Sequence, residues 1–89
     1  TFAGNKDVAR DIRINVIIPS LEKGEIVILD FAGLEGATQS FIHALISDVM
    51  RKFGIRALDN IKFKSCNEDI QAIITIVTEY MQAGLEDEN

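Results

Sequence analysis

Apolar residues recur along this chain in three helical stripes and two short strand-like runs, and their order sets the expected fold. Val8, Ile12 and Val16 repeat every four residues after Asn5, whose side chain can cap a helix, while Arg10, Asp11 and Arg13 fall on the other faces. Pro19 lacks an amide hydrogen and crowds the preceding turn, which predicts a kink or break near Ile18, and Gly24 supplies a left-handed stop. Ahead of this helix Thr1 to Gly4 is too short to assign, although Phe2 can close a strand. The run Ile26 to Phe31 is almost unbroken in its apolar residues and β-branched at Ile26, Val27 and Ile28, the pattern of a central strand covered on both faces. Asp30 interrupts it at its carboxyl end, and Gly33 and Gly36 permit a sharp turn.

A second helix is expected from about Ser40, because Ile42, Leu45, Ile46, Val49 and Phe53 form one stripe; Arg51 and Lys52 suit its carbonyl end and Gly54 stops it. Ile61 and Phe63 then alternate with Lys62 and Lys64, a half-exposed strand near a sheet edge. Ser65 and Glu68 have the spacing of a capping box, with Asn67 as an alternative cap. Beyond them Ile70, Ile73, Ile74, Val77, Tyr80 and Met81 give the cleanest helical stripe of the chain. That helix is expected to fade at Leu85 into an acidic, frayed tail over residues 86–89.

The order helix, strand, helix, strand, helix defines an α/β domain over residues 4–85. Its central strand-helix-strand unit is long enough for a right-handed parallel crossover. Two strands make a thin sheet, which calls for a further amino-terminal strand, or for sheet extension or helix packing in a homodimer. The excess of the last stripe, Met81 and Leu85, is a candidate for such packing.

Composition removes several function classes. With 14 acidic against 9 basic residues and a net charge of −5, the chain lays down no cationic stripe for nucleic acid. One cysteine, Cys66, and one histidine, His43, exclude an intrachain disulfide and the common Cys and His zinc frameworks. No apolar run approaches the roughly 18 residues of a membrane span and no charged-then-apolar signal segment opens the sequence, so a cytoplasmic protein without membrane contact is expected.

The helix GNKDVARDIR, the spacer ending in EKG, the strand end VILDF, the turn AGLEGA and above all TQSF at the next helix start resemble the STAS-like family of small bacterial domains, relatives of the anti-sigma factor antagonists. The likeness runs from Gly4 to Met81 and implies a thin, partly parallel sheet covered by helices. In the antagonists a serine at the corresponding helix start is phosphorylated by a partner kinase with a histidine-kinase-type ATPase fold. On this sequence that serine is Ser40, with Thr38 the neighbouring hydroxyl. The chain departs from the antagonist pattern where an acidic residue has become Thr38 and a glycine has become Phe41. The resemblance thus implies a non-enzymatic regulatory domain that meets a protein partner through Gly33, Glu35, Gly36, Gln39, Ser40, Phe41 and His43.

Each of these residues also has a purely structural reading. A phosphate on Ser40 adds about −1.5 to −2 charges at a helix start, but Ser40 or Thr38 can equally be a helix cap contributing about 0.5–2 kcal/mol. Asp30 ends a strand where α/β proteins place ligands, yet its expected role is to hold the turn by accepting backbone amide bonds. His43 has no nucleophile or second histidine at a diagnostic spacing and reads as a surface or boundary residue, and Cys66 as a small buried hydrophobe. No catalytic residue, metal ligand or cofactor is assigned. The alternative to a regulatory domain is a small-molecule or nucleotide-binding domain using the turn after the Ile26–Phe31 strand.

Overall fold

The computed structural model describes residues 2–87 as an α/β unit with two small parallel sheets. In chain order these are strand β1 (Phe2–Ala3), helix α1 (Lys6–Ile12), a π-helical stretch (Arg13–Ile17), α2 (Ile18–Glu22), β2 (Val27–Asp30), β3 (Gly36–Ala37), α3 (Gln39–Phe53), a 3-10 helix (Ile55–Asn60), β4 (Ile61–Lys64) and α4 (Glu68–Asp87). Helix α4 thus continues into the stretch expected to be an acidic tail, whose last two residues lie outside the described ones.

The first helix departs from the sequence reading in two ways. It is not broken near Ile18: Ile12, Ile17 and Ile18 all keep right-handed helical angles, and the rod runs from Lys6 to Glu22. What changes ahead of Pro19 is the pitch, because the Ile18 amide bonds back five residues to the Arg13 carbonyl. Ala9 and Ile17 are buried while Val8 and Val16 face solvent, the wider turn over Arg13–Ile17 bringing Ile17 to the inward side. Arg13, expected outside, is also drawn in and donates to the Ala44 carbonyl at 2.8 Å while meeting Asp48 at 3.3 Å. At the far end Gly24 takes φ +75°, and the Gly24 and Glu25 amides bond to the Leu21 and Ser20 carbonyls, closing the left-handed stop.

Strands β2 and β4 pair in parallel, connected through α3, with Val27 opposite Ile61 and Leu29 opposite Phe63 on the core side. Ile28 and Asp30 stand opposite Lys62 and Lys64 on the other side, and all four are exposed. The expectation of a central strand covered on both faces is therefore corrected: among the described residues β2 pairs only with β4, and Ile26 and Ile28 are 60% and 63% exposed. Helix α3 fills the interior. Ile42, Leu45, Ile46, Val49 and Met50 are buried along its length, packed between α1 on one flank and α4 on the other, and it stops at Gly54 with φ +80°.

Helix α4 is capped by Asn67 rather than by Ser65. The Asn67 Oδ1 accepts the Ile70 amide at 2.9 Å, whereas Ser65 takes the left-handed conformation that turns the chain out of β4. From the stripe expected for α4, Ile70, Ile74, Val77 and Met81 are buried; Met81 packs in the core of this chain, and the side chain of Leu85 lies outside the described ones. Tyr80 faces outward.

Candidate functional site

The site is organised by the shortest sheet. β1 and β3 run parallel with Phe2 opposite Gly36 and Ala3 opposite Ala37, and the Thr38 amide extends the ladder by donating to the Ala3 carbonyl at 2.9 Å. Three residues beyond the paired alanines come Lys6 on one chain segment and Ser40 on the other. Helices α1 and α3 therefore start side by side.

A Cβ at position 36 would lie 2.7 Å from the Phe2 ring, so a side chain there would displace that ring. Gly36 is buried beneath that ring rather than offered to solvent. Phe41 is likewise turned inward, packed in the core with 6% of its surface exposed. Of the residues expected at a partner surface, Gly36 and Phe41 are thus buried, Gly33, Glu35, Gln39 and Ser40 are exposed and His43 is half-buried.

The two hydroxyls at the start of α3 have separate environments. Thr38 is in an extended conformation at the cap position, and its Oγ1 accepts the Phe41 amide at 3.0 Å. Ser40 lies inside the first turn, exposed, and its side chain makes no hydrogen bond among the described residues. The capping role thus belongs to Thr38, and the Ser40 hydroxyl is left without a structural task.

Beside Ser40 an open groove of about 420 Å³ is lined by Lys6, Gln39, Ser40, His43 and Ala44. The His43 ring forms one wall and leans at 50° against the Tyr80 ring, with 6.4 Å between centroids. Tyr80, assigned from its spacing to the α4 core stripe, is instead 68% exposed and extends the surface around Ser40 onto α4. Its hydroxyl was the one sequence-level sign of a water-facing position, because the adjacent Met81 serves the core equally well at that turn.

The turn after β2 is built around Asp30, whose Oδ1 accepts the Ala32 amide at 2.9 Å. Gly33 follows at φ +82°, and the Asn67 side chain donates to the Glu35 carbonyl at 2.8 Å, joining this turn to the α4 cap. The cavity beside Asp30, about 220 Å³, is walled by Ile12, Ile28, Leu29, Phe31, Leu34, Phe41 and Leu45. Burial pushes the Cys66 thiol above its ordinary pKa and the nearby Asp30 carboxylate pushes it further, which keeps the sulfur in its less reactive protonated form. Among the described residues no three His, Cys, Asp or Glu side chains are placed to hold a metal, and no helix is long and apolar enough to cross a membrane.

A family model described as STAS-like domain of unknown function (DUF4325) matches residues 8–71, more than half of the chain. No curated protein and no solved structure matched it.

Proposed function

Because the chain belongs to the STAS-like domain family, we propose that it is a non-enzymatic regulatory domain that binds another protein through the start of α3, under the control of phosphorylation at Ser40. The observation that carries this reading is the division of labour at the helix start. Thr38 alone caps α3, so the exposed Ser40 hydroxyl can be modified without loss of a native hydrogen bond. In that reaction the Ser40 Oγ attacks the γ-phosphorus of ATP held by a partner kinase of the histidine-kinase-type ATPase class. The new oxygen–phosphorus bond forms as the bond to the departing ADP breaks, and the hydroxyl proton passes to a base on the kinase.

The partner footprint comprises the exposed Gly33, Glu35, Gln39 and Ser40 with the half-buried His43. Phosphate adds about −1.5 to −2 charges at its centre without touching the core, which changes affinity by repulsion or blockade rather than by unfolding. The test is to incubate the domain with a candidate ATPase-type kinase and ATP and to map phosphate by mass spectrometry. Modification of Ser40, absent from Ser40→Ala, supports the switch; a domain that binds the kinase but gains no phosphate retains the binding role and loses the switch.

A further inference from the structure

We propose that Lys6 and His43 hold a phosphate carried by Ser40 in cis, so that the modified residue ties the start of the first helix to the start of α3. The inference rests on the phosphorylation reading above and adds to it the groups that receive the phosphate. Two independent observations place them. The β1–β3 register, Ala3 opposite Ala37, sets Lys6 level with Ser40 on neighbouring segments, and Lys6, Ser40 and His43 line one open groove.

The chemistry of the groove suits a phosphoserine. Lys6 is exposed and takes part in no ion pair among the described residues, so its ammonium is available as a point charge for a phosphate oxygen. His43 stands on the same face of α3 as Ser40, three residues on, and its imidazole can donate an N–H. The Tyr80 ring packs against that imidazole at 6.4 Å between centroids. The ionisable groups lining the groove beside the phosphate are thus Lys6 from α1 and His43 from α3, while from α4 Tyr80 meets the His43 ring.

The consequence is a modified state more tightly joined than the unmodified one. At their starts the segments carrying Ser40 and Lys6 are joined by the two-residue β1–β3 ladder and the Thr38 to Ala3 bond, and a phosphate between them adds a further tie there. A partner reading this surface would then sense both the added charge and the loss of Lys6 as a free cation.

The test uses the full chain with phosphoserine installed at position 40 during synthesis, so that it does not depend on any kinase. Phosphorus-31 NMR is followed across pH. In the native background the second phosphate pKa is expected about half a unit or more below its ordinary value of about 6, because a nearby cation favours the dianion. Lys6→Gln should return most of that shift, Lys6→Arg should keep it, and His43→Gln should return a smaller part. A phosphate that titrates at its ordinary value in the native background, or that titrates identically in Lys6→Gln, overturns the proposal. Failure of the kinase experiment with a shifted phosphate here would remove the kinase and leave the tie in place.

Discussion

The helical rod from Lys6 to Glu22 and helix α3 are alike at their ends and unlike in between. Each opens directly after a strand of the β1–β3 pair, each is capped by a side-chain oxygen, from Asn5 and Thr38 respectively, and each ends at a glycine with positive φ. Between these ends α3 buries Phe41, Ile42, Leu45, Ile46, Ser47, Val49 and Met50, whereas the rod buries Ala9 and Ile17. α3 is the spine around which the core condenses. The rod is a layer laid against it, held by those two side chains and by Arg13 reaching to the Ala44 carbonyl. A shared start and an unequal middle separate two jobs: the starts build the surface, and the middle of α3 supplies the stability on which it stands.

The contrast is easiest to break at the spine. Ile46→Ala should cost about 2–5 kcal/mol in urea denaturation, because the side chain is fully buried and its removal leaves a cavity, while Val16→Ala on the exposed side of the rod should stay within about 0.5 kcal/mol. Equal losses would mean that the rod shares the core after all. The next largest effect is expected at the tie between the two helices. Arg13→Ala removes a charged donor from a backbone carbonyl and should cost about 1.5–3 kcal/mol, and Arg13→Lys should restore only part of it.

Smaller effects sharpen the division at the head of α3. Thr38→Ala should cost about 0.5–2 kcal/mol by thermal or urea denaturation, with Thr38→Ser close to native, since only the oxygen that accepts the Phe41 amide is needed. Ser40→Ala should leave stability within about 0.5 kcal/mol of native while abolishing any phosphate incorporation. A stability loss at Ser40 equal to that at Thr38 would show the two hydroxyls to be interchangeable caps.

Much of this arrangement was legible from local chemistry. The α3 stripe, the left-handed stops at Gly24 and Gly54 and the alternation of Ile61 and Phe63 with lysines are each decided by a few neighbouring residues, and the fold honours them. The first helix was misread because periodicity assumes a uniform turn. A π-helical stretch over Arg13–Ile17 pairs Ile12 with Ile17 on the inward side, and no single residue announces that change of pitch. Strands of two residues, as in β1 and β3, carry no alternation to detect, so the pairing that aligns Lys6 with Ser40 was invisible. The choice of Asn67 over Ser65 as the α4 cap depended on Glu35, more than thirty residues away, whose carbonyl holds the asparagine side chain. The assignment of Thr38 rather than Ser40 as the α3 cap was undecidable from spacing, because either hydroxyl precedes the first buried turn.

The β1–β3 ladder also sets the order in which the domain comes apart. It joins segments more than thirty residues apart in the chain through two residue pairs and the Thr38 amide, so closing it costs loop entropy that little local bonding offsets. Partial opening of the native state should therefore begin at this ladder while the middle of α3 remains closed. In amide hydrogen exchange, the Thr38 N–H becomes the early reporter and the Val49 and Met50 amides the late ones. The surface that carries Ser40 sits on the part of the molecule that yields first, where a single covalent change has the most local stability to add or remove.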